Sequence, residues 1–230
     1  MKISINIKTI IAVLALAVGF TSCSKKYDQS PVYISGLSII HASPTDEKLD
    51  VFVDNTKANL SDFAFGDKID YLNAYSGSRQ LTVTKKGNTS PLTTEQFTLK
   101  PQIGYSLFVV DKLESVKFLF LEDDLTIAPT GKARVRFVNL SPDADALSLA
   151  IDGQTTDLVT NKSFKEYSTF ETIDAADKVT FNVKNDATGA VETSIADVKI
   201  ESGKIYTVWV KGLKSATDET KLGVAVFTHK

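Results

Sequence analysis

From residue 35 onward, apolar and polar positions alternate along the chain in short runs. Leu49, Val51 and Val53 are separated by Asp50, Phe52 and Asp54; Leu147, Leu149 and Ile151 alternate with Ser148, Ala150 and Asp152. Ala133, Val135 and Phe137 alternate with Arg134 and Arg136, and Tyr206, Val208 and Val210 behave likewise. A period of two belongs to a strand with one face in a core, because successive side chains point to opposite sides of a sheet. Turn chemistry punctuates the runs at Asp152-Gly153, Lys86-Gly87-Asn88 and Ser202-Gly203. No segment beyond the first 22 residues holds an apolar helical stripe over three turns. The pattern predicts an all-β chain of short antiparallel strands packed as β-sandwiches.

The pattern also occurs twice. Ser43-Pro44 recurs as Ser141-Pro142 and Leu49–Asp54 as Leu147–Asp152, both 98 residues on. Leu81-Thr82-Val83 matches Phe181-Asn182-Val183 at 100, and Tyr105–Val109 matches Tyr206–Val210 at 101. Offsets that drift by one or two residues are what loop insertions between retained strands produce. Pro129 and Gly131 interrupt two strand-rich stretches, so two tandem sandwich domains are expected, at residues 35–129 and 130–230.

Two runs break the simple alternation. Val116, Phe118 and Phe120 share one face of a strand, but Leu119 and Leu121 occupy the other. Val224 and Val226 face opposite Ala225 and Phe227 in the same way. A strand apolar on both faces is covered on both sides. The second cover is either the neighbouring domain or a separate partner. The first is favoured, since the Leu119–Leu121 strand leads directly into the linker. Phe52 lies among aspartates and is a candidate contact aromatic, so Phe52, Leu119, Leu121 and Phe227 form the candidate partner or interdomain face.

The N-terminus has a different composition. Lys2 and Lys8 precede an unbroken apolar run from Ile10 to Phe20, and no acid occurs before Asp28. Eleven residues are too few to span a bilayer, which takes roughly 20, and fit a secretory signal. Phe20-Thr21-Ser22-Cys23 follows and resembles a bacterial lipobox with Phe in place of the usual Leu. Residues 1–22 are read as a lipoprotein signal peptide and 23–34 as a lipidated tether. Cys23 takes the acyl chains, of the palmitate type, that anchor the body to a membrane. The competing reading is ordinary cleavage nearby, with Cys23 left as a free thiol. The sole Cys of the chain falls where the apolar run ends, which favours lipidation. Ser24, and not Asp, follows the Cys, so the expected destination is the outer membrane of a cell envelope.

The remainder of the composition mainly excludes. One Cys and two His among 230 residues leave no disulfide framework and no thiolate or histidine metal cage. The mature chain carries 24 basic and 28 acidic residues, without a basic track for nucleic acid. No phosphate loop, zinc-peptidase helix or nucleophile elbow occurs, and no cofactor is expected.

His41 two residues before Ser43 suggests a base and a nucleophile. Yet Pro44 breaks the strand, no third group orients the pair, and the second copy has Asn139 there. A turn role is favoured, with Ser43 and Ser141 capping through their hydroxyls. His229 reads as a solvated end residue. The carboxylates of Glu122-Asp123-Asp124 and Asp143-x-Asp145 suggest a calcium site, against the plainer reading of solvated loop acids.

Together, Ile40-His41-Ala42-Ser43-Pro44 and Leu49–Asp54, then Phe65-Gly66-Asp67 and Tyr71, resemble the bacterial family called domain of unknown function 4397. Its members often read His-Ala-Ser-Pro-Asp-Ala-Pro followed by Val-Asp-Val-Tyr-Val-Asp-Gly. The likeness covers nearly all of residues 35–230 as two units. It implies an immunoglobulin- or transthyretin-like sandwich and no established activity. The expected function is therefore a non-catalytic envelope lipoprotein displaying surfaces for a protein partner or an envelope glycan. The alternative is a structural or assembly subunit at the outer membrane, and an enzyme acting on glycans or peptides is a third reading.

Overall fold

Residues 33–229 are described by a computed structural model. The signal segment 1–22, Cys23 and most of the tether lie outside the described residues. The first half contains β1 (Ile34–His41), β2 (Leu49–Val53), β3 (Thr56–Lys57), β4 (Lys68–Tyr75), β5 (Gly77–Lys85), β6 (Pro91–Leu99), β7 (Gly104–Val110) and β8 (Lys117–Asp123). The second contains β9 (Lys132–Asn139), β10 (Leu147–Ile151), β11 (Val159–Lys162), β12 (Glu171–Asp174), β13 (Ala176–Asn185), β14 (Val191–Ile200), β15 (Ile205–Lys211) and β16 (Gly223–Thr228).

Each half is a sandwich of two four-stranded sheets. The orders are β4-β1-β7-β8 with β3-β2-β5-β6, and β12-β9-β15-β16 with β11-β10-β13-β14. The second set repeats the first strand for strand. Pairing is antiparallel apart from one parallel pair in each half, β1 with β7 and β9 with β15. The expected antiparallel sandwiches are present, each with one parallel pair inside it. The chain leaves the first sheet after β1, returns to it at β4 in the opposite direction, leaves again, and comes back at β7 in the same direction as β1.

Alternation places Leu37, Ile39, Leu49, Val51, Leu81, Val83, Leu107 and Val109 in the first core. Val135, Phe137, Leu147, Leu149, Phe181, Val183, Val208 and Val210 fill the second. Burying side chains of this size stabilises by about 1.5–3 kcal/mol each. A third cluster lies between the halves: Ile40, Phe108, Val110 and Leu121 from the first pack with Val138, Leu140 and Trp209 from the second. The sheets containing β1 and β9 are thus covered on both faces, and both repeats fall in a single compact unit.

This arrangement corrects the reading of β9. Arg136 was expected on a polar outer face, yet it is 2% exposed. Its face of the strand meets the other sandwich and not water.

Candidate functional site

The ionisable groups gather where the two double-covered sheets meet. Tyr71 on β4, Ser106 on β7 and Asp123 at the end of β8 face Arg136 on β9, Thr207 on β15 and His229 just beyond β16. Arg136 Nη2 lies 2.8 Å from Asp123 Oδ1, with the two side chains 2% and 0% exposed. Ser106 Oγ donates to the same carboxylate at 2.8 Å and accepts from Arg136 Nη2 at 3.3 Å. Tyr71 donates its hydroxyl to Asp123 Oδ2 at 2.5 Å.

The donor pattern fixes the His229 tautomer. Because the Tyr71 proton goes to Asp123, the phenol oxygen accepts from His229 Nδ1–H across 2.7 Å. His229 Nε2 is then an acceptor, and Thr207 Oγ1 donates to it at 2.8 Å. Thr207 Oγ1 in turn accepts from Arg136 Nε at 3.3 Å. The six side chains close a ring in which each buried polar group has a partner, as burial without water requires. Phe170 covers it, with the Arg136 guanidinium 4.7 Å from its ring centre.

Burial sets the protonation states. It lowers the His229 pKa to about 4, outweighing the pull of Asp123, with Arg136 and Lys68 acting in the same direction as burial. It raises Tyr71 far above the usual phenol value, and the Asp123 carboxylate adds to the rise. Burial also lowers the Arg136 pKa, against Asp123. The expectation of a solvated His229 is corrected: its backbone N–H donates to Ile205 O at 2.8 Å and continues β16 by one residue into the interface.

Two glycines make room for the Tyr71 ring. A methyl group on Gly36 would come within 3.0 Å of Tyr71 Cδ1, and one on Gly104 within 3.4 Å of Cε1. The ring packs against β1 and β7 where neither strand presents a side chain.

The other candidates sit apart from this ring. His41 is fully buried against Phe63 and Phe65, at ring separations of 5.3 and 6.4 Å. Burial lowers its pKa to about 4, while backbone groups of Glu47, the Asp67 carboxylate and its own backbone offset this only in part. Neither ring nitrogen nor the buried Ser43 hydroxyl finds a hydrogen-bond partner among the described residues. Ser43 therefore does not cap its turn, contrary to expectation. In the second copy Asn139 organises the turn, accepting from Ser141 N at 3.1 Å and donating to Lys162 O at 2.9 Å.

The acids suggested for calcium are engaged by protein donors. Asp124 pairs with Arg134 at 2.6 Å, and Asp143 accepts from the backbone of Lys214 and Ser215 at 2.7 and 3.0 Å. Among the described residues no three His, Cys, Asp or Glu side chains group to hold a metal.

Leu119, Leu121 and Phe227 come together in the cluster between the sandwiches. Phe227 lies 6.2 Å from Phe108, and Lys68 Nζ sits 5.2 Å above its ring. Phe52 is elsewhere, on the outward face of β2 opposite Thr82 of β5. No ring contact joins two exposed aromatics among the described residues. Sequence reasoning missed Arg136, Thr207 and His229; the one available signal was a polar residue on the second face of a strand whose neighbours are doubly covered.

Among curated proteins, none matches the sequence. Among solved structures, an alpha-glucan-binding streptococcal virulence factor is similar, with 12% identity, 82% of this chain and 96% of that one covered, and a TM-score of 0.28. A family 26 carbohydrate-binding module from Eubacterium rectale in complex with maltoheptaose gives 12%, 84%, 96% and 0.28. A candidate cell adhesion protein from Bacteroides eggerthii gives 10%, 87%, 97% and 0.25. The fold rests on the strand order given above and not on these likenesses, and no ligand is inferred from them. The profile of the family described as domain of unknown function 4397 (DUF4397) matches residues 35–150, the whole first sandwich and the start of the second, and the chain belongs to that family.

Proposed function

We propose that the chain is a non-catalytic binding module of the cell envelope, anchored at the outer membrane by lipid on Cys23. One observation carries the non-catalytic part: the groups shifted by burial, His41, Tyr71 and His229, lie wholly or partly inside the protein, while the exposed carboxylates with strongly lowered pKa values, Asp62 and Asp124, are held by Lys48, Lys86 and Arg134. None of these three lines the clefts formed beside Asp174, Tyr75, Phe52 or Asp62. A catalytic acid or base needs a displaced pKa within reach of substrate. For Tyr71 and His229 displacement coincides with the bracing of two sandwiches, which leaves the outward sheet faces and edges for contact. The anchor is supported by the positive start, the short apolar run and the position of the sole Cys.

A second reading, an assembly subunit with a protein partner, is favoured by the open edge of the first sandwich. There a cleft of about 550 Å³ is lined by Leu37, Val53, Leu72 and Tyr75, and Leu60 at its rim is fully exposed.

The test uses outer-membrane vesicles and the soluble body released by Cys23→Ala. Saturable binding, with vesicle glycans and proteins recovered unchanged, is the expected result. New reducing ends or free amino groups after incubation would contradict the reading, as would acyl label retained by the Cys23→Ala chain.

A further inference from the structure

The outward face of the sheet β3-β2-β5-β6 differs from its counterpart in one respect. Phe52 of β2, half-buried, pairs across the strand with Thr82, which pairs with Thr94 of β6. These residues, with Asn55, Gln80 and Asn88, line a shallow cleft of about 420 Å³. Every side chain lining it is uncharged, on a chain in which 23% of residues are charged. The neighbouring cation Lys57 is drawn off to Asp50 at 2.7 Å. In the second repeat the register places Ala150 where Phe52 stands and Asn182 in place of Thr82. That face also holds the Lys184–Asp157 ion pair at 2.7 Å.

We infer that the Phe52 face of the first sandwich is a binding site for a neutral carbohydrate; the inference rests on the binding-module reading above. A partly exposed ring offers apolar surface to the C–H face of a pyranose. The surrounding amides and hydroxyls match its hydroxyl groups as both donors and acceptors. Asn88 spends its carbonyl oxygen on Ser90 N at 2.9 Å, which leaves its amide hydrogens for a ligand. The Thr82 and Thr94 hydroxyls, 3.1 Å apart, form a paired donor and acceptor beside the ring.

Charge argues against the alternatives. A nucleic acid or an anionic polysaccharide would meet beside Phe52 only Lys57, which is already paired with Asp50. An extended peptide would seek unpaired backbone at a sheet edge, whereas Phe52 sits on β2, paired on both sides by β3 and β5. A single ring grips a single sugar unit, so the site takes a short stretch of glycan and binds it weakly.

The test titrates the soluble body, its phenylalanines isotope-labelled, with maltohexaose, cellohexaose and xylohexaose. Polygalacturonate serves as the anionic control and a mixed peptide digest as the peptide control. A neutral hexasaccharide is expected to move the Phe52 ring signals saturably. Phe52→Ala should weaken binding roughly tenfold or more while leaving the thermal melt in place. Phe52→Tyr should retain binding, and Gln80→Glu should weaken it without touching the ring. Sugar binding indifferent to Phe52 would overturn the site and leave the module reading standing. Shifts with polygalacturonate or peptide alone, or with nothing in the panel, would overturn the ligand class; the vesicle assay then decides the module reading separately.

Discussion

Asp123 and His229 hold the same position in the two repeats and meet across the interface, with His229 Nδ1 3.8 Å from Asp123 Oδ2. Glu122 pairs with Tyr105 and Thr228 with Tyr206, so the next residue is Asp123 in one copy and His229 in the other. By the same register Ser106 corresponds to Thr207, Phe108 to Trp209 and Ser38 to Arg136. Each repeat thus presents the same face to the other, and the side chains have diverged to become complementary. Two first repeats placed face to face would set Asp123 against Asp123 with no guanidinium between them.

Removing one member of the buried pair should be costly. Asp123→Ala or Arg136→Ala leaves an unmatched buried charge, an expected loss of about 3–5 kcal/mol. Asp123→Leu combined with Arg136→Met should lose much less, since neither charge remains. Urea unfolding of the two single variants and the double variant checks this. Equal losses in all three would mean that the pair itself, and not the stranded charge, governs stability.

The buried histidines give a pH dependence of definite sign. His229 and His41 are each lowered from 6.5 to about 4 by burial, so the unfolded chain binds protons more readily than the folded one. Their contribution is complete above pH 6.5 and is lost as pH falls toward 4. Its size is on the order of 3 kcal/mol for each group. Melting temperature should therefore drop across that window. His229→Gln, which lacks the titration, should flatten the drop, and an unchanged slope in that variant would remove His229 from the account.

Trp209, the one tryptophan of the chain, lies in the cluster between the sandwiches at 2% exposure. Leu121→Ala removes a neighbour in the same cluster and should cost about 2–5 kcal/mol. Leu119→Asp with Leu121→Asp should open the interface and red-shift Trp209 emission while far-ultraviolet circular dichroism stays strand-like. Emission unmoved by both aspartates would place the strength of the interface elsewhere.

Gly36 tests how closely the ring system is fitted. Gly36→Ala crowds the Tyr71 ring and should destabilise by about 1–3 kcal/mol. Adding Tyr71→Phe to it should not restore stability, because the crowding involves the ring and not the hydroxyl. Restoration in the double variant would contradict the packing argument.

Much of this was legible in the residues. Alternation at Leu49–Val53 and Leu147–Ile151 marks strands with one buried side, and the double apolar faces at Leu119–Leu121 and Ala225–Phe227 mark strands covered twice. Arg136 and His229 were not legible. A polar side chain on a strand's second face gives the same local pattern whether it meets water or a partnered charge on another sheet. Only the packing of the two sandwiches, which sets Asp123 of β8 against Arg136 of β9 and His229 beyond β16, distinguishes the two cases. Ser43 misled for a related reason: Ser-Pro is turn chemistry in both copies, but Asn139 supplies the hydrogen bonds in one, and His41 is enclosed by aromatics in the other. The Phe52 face needed the register too, since only pairing with Thr82 and Thr94 sets that ring among neutral groups.

The claim on which the rest depends is that the two sandwiches move as one body. Residual dipolar couplings of backbone amides, measured on the soluble body in a single alignment medium, test it most directly. One alignment tensor fitting residues 34–123 and 132–228 together is the predicted result. Two tensors of different magnitude or orientation for the two halves would contradict it.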